Sequence, residues 1–290
     1  VNERMQTLGR MGKGKPKTLT PDQREQRRRQ AQAINARRAA AVPTKWVLSY
    51  SGGKDSTALL HLLLRERYPL DAIVTFASEW EFPALDQHLW DVERIAGVTI
   101  TRIGPSVPWY ELRRKWGWPH WRCRWCTGDK GARLDKVTRG CGKYIGICAD
   151  EAQRAQKYRD GKTQVRWARF PLIDHGITTK DAMRWCRELG YRWQDGTGAP
   201  GLYDTFTRFS CYCCPLQGIR SLYNVRLYHP ALWRRMIEEG RGEVYKGGRT
   251  MEEWDARLLR KSQTCEKVLP AAFRHPPLLA TPSDMADYQK

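Results

Sequence analysis

The chain has 290 residues, 41% hydrophobic and 28% charged, a balance that supports a packed core and excludes wholesale disorder. Fifty-one Lys and Arg against 31 Asp and Glu give a net charge of +20, a field that attracts polyanions and points to nucleic acid as a partner. No apolar run approaches the roughly 18 residues of a membrane span, and the polar, basic start of the sequence carries no apolar signal segment. Membrane and secreted classes are set aside, and a cytoplasmic protein is expected. The nine cysteines then read as metal ligands, reactive thiols or core residues rather than a disulfide framework.

Residues 1–42 read as a basic flexible arm. The first forty carry eleven Lys or Arg against Glu3, Asp22 and Glu25, so 11 − 3 = +8. Thr20 and Pro21 open a helix that has no apolar stripe, and its Arg27, Arg28 and Arg29 are candidates for phosphate contacts. Texture changes at Pro43. A β-prone run at 46–50 is followed by a glycine loop at 51–56 and a helix at 57–67. A strand at 71–77, a helix at 83–96 and a strand at 98–103 come next. A fourth strand is expected at 143–148, and a helix at 179–189 with Thr178 or Thr179 as its cap and Gly190 as its stop. This alternation predicts an α/β fold, a doubly wound and mostly parallel sheet, over residues 43–205. A cysteine-containing helical part at 206–270 and a loose tail at 271–290 complete the expected organisation.

Ser51-Gly52-Gly53-Lys54-Asp55-Ser56, between a strand and a helix, is the most informative segment. The glycines let successive N–H groups point into one concavity at a helix N-terminus, where orphan donors and the helix dipole favour an anion. Ser51 and Ser56 add hydroxyls and Lys54 a point charge. Asp55 suits such a site only if it faces Mg²⁺.

The segment resembles the PP-loop of the N-type ATP pyrophosphatases, the adenine nucleotide alpha hydrolase-like proteins. Further stretches resemble the PAPS reductase-like branch in the right order: Gly146-Ile147-Cys148-Ala149-Asp150-Glu151, Phe170-Pro171-Leu172-Ile173-Asp174, Cys211-Tyr212-Cys213-Cys214-Pro215-Leu216 and Tyr228-His229-Pro230. The resemblance spans about residues 45–240. It implies ATP cleaved between its α and β phosphates, with Lys54 and Asp55 catalytic and the whole 51–56 loop binding ATP and Mg²⁺. Three departures stand out. The chain lacks the C-terminal thiol segment of sulfonucleotide reductases. Glu79 or Glu81 stands in for an acid at the end of the second strand. Cys148 replaces an arginine whose charge Arg154 could supply.

Cys123 and Cys126 form one C-x-x-C pair, Cys211 and Cys214 another. Each spacing lets two sulfurs reach one metal, so the four together are expected to hold Zn²⁺ or a [4Fe–4S] cluster beside the nucleotide pocket. Sulfur-inserting PP-loop enzymes such as tRNA 2-thiocytidine synthetases combine the same loop with a cysteine-bound cluster, and that resemblance favours iron–sulfur. Cys213 is a spare ligand or free thiol; Cys141, Cys148, Cys186 and Cys265 read as core or incidental. Residues 109–125 interleave five tryptophans with basic residues. Of these, Trp116, Trp118 and Trp121 are candidates for base stacking, with at least two of the five tryptophans in the core.

Taken together, the sequence points to an enzyme that adenylates its substrate for sulfur insertion into, or modification of, a nucleic acid, tRNA or DNA. A homodimer or a sulfur-donor protein is a possible partner. A sulfonucleotide reductase is the second reading, and a non-catalytic nucleic-acid-binding protein on a PP-loop scaffold the third.

Overall fold

In the computed structural model, described residues are 20–22, 25–26, 29–30, 42–161, 163, 165–209 and 211–264. Arg27 and Arg28, most of the basic arm, Cys265 and the 271–290 tail lie outside them. Five strands form one parallel sheet: β1 (Trp46–Ser49), β2 (Ala72–Phe76), β3 (Ile100–Ile103), β4 (Gly142–Tyr144) and β5 (Ala168–Arg169), in the order β3-β2-β1-β4-β5. The order reverses direction between β1 and β4. In open parallel sheets that switch point opens a crevice at the strands' carboxyl ends, and the 51–56 loop leaves β1 there.

Helices cover both faces, as parallel strands require. They are α1 (Lys54–Arg65), α2 (Pro83–Ala96), α3 (Trp109–Trp116), α4 (Trp125–Val137), α5 (Gln156–Arg159), α6 (Pro171–Asp174) and α7 (Thr179–Glu188), with a 3₁₀ turn at Ala149–Ala155 before α5. Then follow α8 (Leu202–Thr205), α9 (Ile219–Tyr228), α10 (Pro230–Glu239), the antiparallel ribbon β6 (Val244–Lys246) and β7 (Arg249–Thr250), and α11 (Met251–Thr264). Helix α1 is apolar around most of its circumference, burying Ala58, Leu59, Leu60, Leu62 and Leu63, so it needs cover on two sides and lies between the sheet and α7. Helix α7 starts with a full capping box: the Thr178 hydroxyl accepts from the Asp181 amide, and Asp181 reaches back to the Thr178 N–H.

The observed fold class is the expected one, with two differences of detail. β4 is Gly142–Tyr144 rather than 143–148, because the chain bends away after Tyr144 to bring Gly146 against α1. β5 has only two residues and too short a hydrophobic run to announce itself. Residues 206–264 share one hydrophobic core with the sheet domain, through Tyr212, Trp233, Tyr245 and Trp254.

A polar knot inside that core supports the loop from behind. The Tyr50 hydroxyl lies 2.8 Å from Thr57 Oγ1 and 3.0 Å from His88 Nε2, and Thr57 Oγ1 also lies 3.0 Å from His88 Nε2. The His88 ring stacks on Trp193 at 4.5 Å, and its Nδ1 is buried without a partner. Burial, with His61 nearby, pushes the His88 pKa down to about 3. The unfolded chain therefore takes up a proton near the usual histidine pKa while the folded chain does not. His88 thus costs nothing above about pH 6.5 and destabilises progressively as pH falls from there toward 3. The urea midpoint is expected to drop between pH 7 and pH 5, and to drop less in His88→Gln. Equal losses in both proteins would assign the acid sensitivity elsewhere.

Candidate active site

The loop is built by contacts that fix its backbone. Gly52 has φ +74°, and a side chain there would run into Leu85 of α2. Its carbonyl accepts a 2.8 Å hydrogen bond from Trp193 Nε1. The Ser51 and Ser56 hydroxyls lie 3.1 Å apart, and the Ser56 hydroxyl donates to the Gly53 carbonyl at 2.9 Å. A Cβ on Gly146 would lie 3.1 Å from the Asp55 carbonyl carbon and the Ser56 nitrogen, so only glycine lets the chain leaving β4 press against the first turn of α1. The Tyr203 hydroxyl accepts the Lys54 amide at 2.8 Å, taking up one of the helix's orphan donors.

Lys54 is largely buried, and its Nζ pairs with Asp55 Oδ1 at 2.5 Å. Two thiols complete the support. Cys148 Sγ donates to the Asp55 carboxylate at 3.3 Å, and Cys186 Sγ donates to the Lys54 carbonyl at 3.4 Å. Burial, reinforced by the Asp55 charge, pushes both thiols up to about 12. They are neutral donors, and Cys148, where the family stretch has arginine, serves Asp55 without adding charge.

The loop opens onto a cavity of about 280 Å³ also lined by Lys130, Arg154, Arg208, Tyr203, Glu81 and Cys211. Cations from α4, the 3₁₀ turn and the segment after α8 thus face the N-terminus of α1 across the cavity, an arrangement that favours an anion. Arg154 forms an ion pair with Glu151, which lies 4.0 Å from Arg208. Of the two acids at the end of β2, Glu79 is engaged by the Tyr110 amide at 3.0 Å, so Glu81 is the one in the cavity. Its pKa is raised by burial, an effect that Lys130 partly offsets. Sequence reasoning missed Tyr203, Lys130 and Arg208. A lone Tyr or Lys on a helix carries no pattern, and only the fold brings them to the loop.

Asp55 is the carboxylate that the loop would offer to an ion such as Mg²⁺, which is held by one or two carboxylates plus substrate phosphates; in the structure it is engaged by Lys54 Nζ and Cys148 Sγ. The four cysteines fare differently. Cys126, Cys211 and Cys214 are within electrostatic reach of one another, with burial the main effect raising the Cys126 and Cys211 pKa values. Cys211 Sγ also lies 4.0 Å from Glu81 Oε1. Cys123 is exposed, in the turn where His120 and Cys123 bridge. Among the described residues no group of three or more His, Cys, Asp or Glu is placed to hold a metal ion. Three of the four expected ligands, Cys126, Cys211 and Cys214, are thus gathered at one place while Cys123 stands apart in its exposed turn, and no chemical step is derived through a metal or cluster.

The tryptophans divide. Trp118 is 4% exposed, packed against Trp80 and Tyr245, which corrects its assignment as a base platform: Gly117, at φ +72°, turns the chain so that Trp118 points inward. Trp109 is buried as well. Trp116 and Trp121 are 51% and 73% exposed, with Lys115 and Arg122 over their rings at 5.4 and 4.6 Å.

Residues 45–180 match the family model described as the phosphoadenosine phosphosulfate reductase domain, so the chain carries a domain of the PAPS reductase-like family. Protein MJ0066 of Methanocaldococcus jannaschii is 24% identical over 200 residues, 65% of this chain and 40% of that protein; the match spans less than half of the relative's length. Among solved structures, the U34-tRNA thiolase NcsA from Methanococcus maripaludis with its [4Fe-4S] cluster is similar over 86% of this chain and 82% of its own, at 12% identity and a TM-score of 0.37.

The thiol environments give a direct readout. In native protein at pH 8, iodoacetamide is expected to label exposed Cys123 first and to leave Cys148 and Cys186 unlabelled, because only thiolates react. Peptide mass spectrometry over time separates the sites. Labelling of Cys148 as fast as Cys123 would remove the Asp55 contact from the account.

Proposed function

We propose that this chain, which carries a PAPS reductase-like domain, is a PP-loop ATP pyrophosphatase that adenylates its substrate, in the service of sulfur insertion into or modification of a nucleic acid. The observation that carries the reading is the joining of the 51–56 loop, four cations, the Glu81 carboxylate and the Cys211 thiol in one cavity. The loop donors, Lys54, Lys130, Arg154 and Arg208 bind the triphosphate and stabilise the charge that grows on the leaving pyrophosphate. An acceptor oxygen or sulfur attacks the α-phosphorus. The bond from that phosphorus to the α–β bridging oxygen breaks, pyrophosphate leaves, and AMP stays on the acceptor. Glu81, whose pKa burial has lifted, takes the acceptor's proton. Mg²⁺ brought in with ATP would be held by Asp55 and supplies further charge neutralisation. Cys211 faces the same cavity and is the thiol placed to meet the activated substrate.

The +20 charge and the exposed Trp116 and Trp121 with their basic neighbours support nucleic acid as the acceptor. The described helices include none long and apolar enough to cross a membrane. A sulfonucleotide reductase is a second reading, favoured by the matched domain's description and by a thiol in the nucleotide cavity. Dithiol-dependent release of sulfite from PAPS separates the two: the first reading expects none.

Pyrophosphate release is expected only when ATP and a nucleic-acid acceptor are both present. Lys54→Ala removes a charge-assisted contact worth about 1.5–3 kcal/mol, and is expected to slow release roughly ten- to a hundred-fold. A mutant as active as the wild type would overturn the loop assignment.

A further inference from the structure

Away from the loop the protein has a larger cleft, about 710 Å³, along α4 and the entry ends of β4 and β5. Its chemistry is cationic. Lys136, Arg139, Lys143 and Arg166 line it against a single carboxylate, Asp135, which pairs with Lys143 at 2.7 Å. Lys136, Arg139 and Arg166 are exposed and form no ion pair with any described residue. Three like charges around one cleft repel one another, a cost that a bound anion lowers.

The cleft has two further properties. The face of α4 turned toward it is stripped of side-chain bulk: Gly128 and Gly131 sit one turn apart, and a Cβ at either would meet nothing within 4 Å. Glycine inside a helix costs about 1 kcal/mol against alanine, so two of them weaken α4 while opening its surface. The other wall ends in half-buried Trp167, with the Arg166 guanidinium over its ring at 4.6 Å. An Arg–Trp pair of this kind offers a flat face for a base and a fork for a phosphate.

From this geometry we infer that the α4 cleft is a second anion site, the channel in which a nucleic-acid strand lies with phosphates on Lys136, Arg139 and Arg166 and a base against Trp167. The inference rests on the nucleic-acid acceptor proposed above and adds where the strand runs. Thirteen helical residues span roughly 20 Å, room for several phosphates of a strand. The direction of the cleft is informative. α4 separates it from the ATP cavity: Thr127, Gly128 and Gly131 face the cleft, whereas Lys130 faces the ATP side and Cys126 precedes them on the same first turn. A strand in the cleft therefore has one end at the turn that carries Cys126. An acidic peptide would meet the cations but leave the aromatic wall unused, which favours nucleic acid.

The test measures fluorescence anisotropy of labelled single-stranded DNA and RNA oligonucleotides against salt, using the full chain. Lys136→Gln/Arg139→Gln/Arg166→Gln, all at exposed positions, is expected to flatten the log–log salt slope by about 2 for single strands. Trp167→Ala is expected to weaken binding roughly ten-fold. Gly131→Leu fills the cleft without altering charge, and is expected to weaken binding while ATP binding stays at the wild-type level. The larger effect with RNA or with DNA identifies the strand. If wild-type protein binds the oligonucleotides and all three variants bind with unchanged affinity and slope, the cleft assignment is overturned and the proposed function stands. If wild-type protein binds neither nucleic acid, the acceptor reading falls and takes the cleft with it. Binding of a poly-glutamate peptide as tight as that of the oligonucleotides, lost equally in the triple variant, would also overturn it.

Discussion

Everything at the 51–56 loop depends on the backbone-to-backbone approach between the exit of β4 and the first turn of α1. With no Cβ at Gly146, the chain after β4 lies against Asp55 and Ser56. That contact fixes the start of α1, and with it the amides and hydroxyls that can face a phosphate. It also bends the chain out of the sheet after Tyr144, which carries Cys148 under the Asp55 carboxylate and starts the 3₁₀ turn that holds Arg154 at the cavity. A methyl group at 146 would have to move backbone rather than a flexible side chain, so the penalty would fall on the loop geometry itself.

The loop is also held from the opposite side, by groups that add no charge. Trp193 anchors the Gly52 carbonyl, Tyr203 the Lys54 amide, and the Cys148 and Cys186 thiols the Asp55 carboxylate and the Lys54 carbonyl. An arginine at 148 would compete with Lys54 for Asp55. A neutral thiol leaves the ion pair of Lys54 and Asp55 intact at the loop, with Arg154 also lining the cavity. The buried polar knot of Tyr50, Thr57 and His88 extends the same logic one layer deeper, satisfying hydroxyls where water is excluded.

How legible was this in the sequence? The sheet domain was readable because its signals are local: β-branched runs, the Thr178 cap, and a six-residue loop whose residue types mean little except around an anion. β4 was misjudged because residues 145–148 are as β-prone as its true strand residues, and what ends the strand is a tertiary contact at Gly146. Lys130, Tyr203 and Arg208 were invisible because they reach the cavity from three distant segments, with no spacing to link them. Trp118 misled for a related reason: interleaved Trp and Arg looks the same whether a ring faces solvent or the core, and the turn at Gly117 decides it. The cysteine pairs were legible as pairs, while their relation was not, since the fold brings Cys126, Cys211 and Cys214 into mutual reach and leaves Cys123 at the surface.

The placement of Cys211 follows from packing rather than from the thiol. The Tyr212 amide donates to the Trp80 carbonyl at 3.0 Å, and the Tyr212 ring packs edge-on against Phe82, so the segment after α8 is pinned where β2 runs into α2. On its other side the Tyr245 hydroxyl reaches the Cys213 carbonyl at 3.3 Å, and Lys246 Nζ donates to the carbonyls of Pro215 and Gln217. The turn at 211–217 is therefore clamped between the sheet domain and the β6–β7 ribbon. Trp80, fully buried among Trp109, Trp118 and Trp125, ties that clamp to α3 and α4. Helix α4 in turn carries Lys130 into the loop cavity and faces the basic cleft with its glycines. One aromatic cluster thus links the Cys211 thiol, the loop cavity and the cleft, and a cavity at Trp80 would loosen all three together.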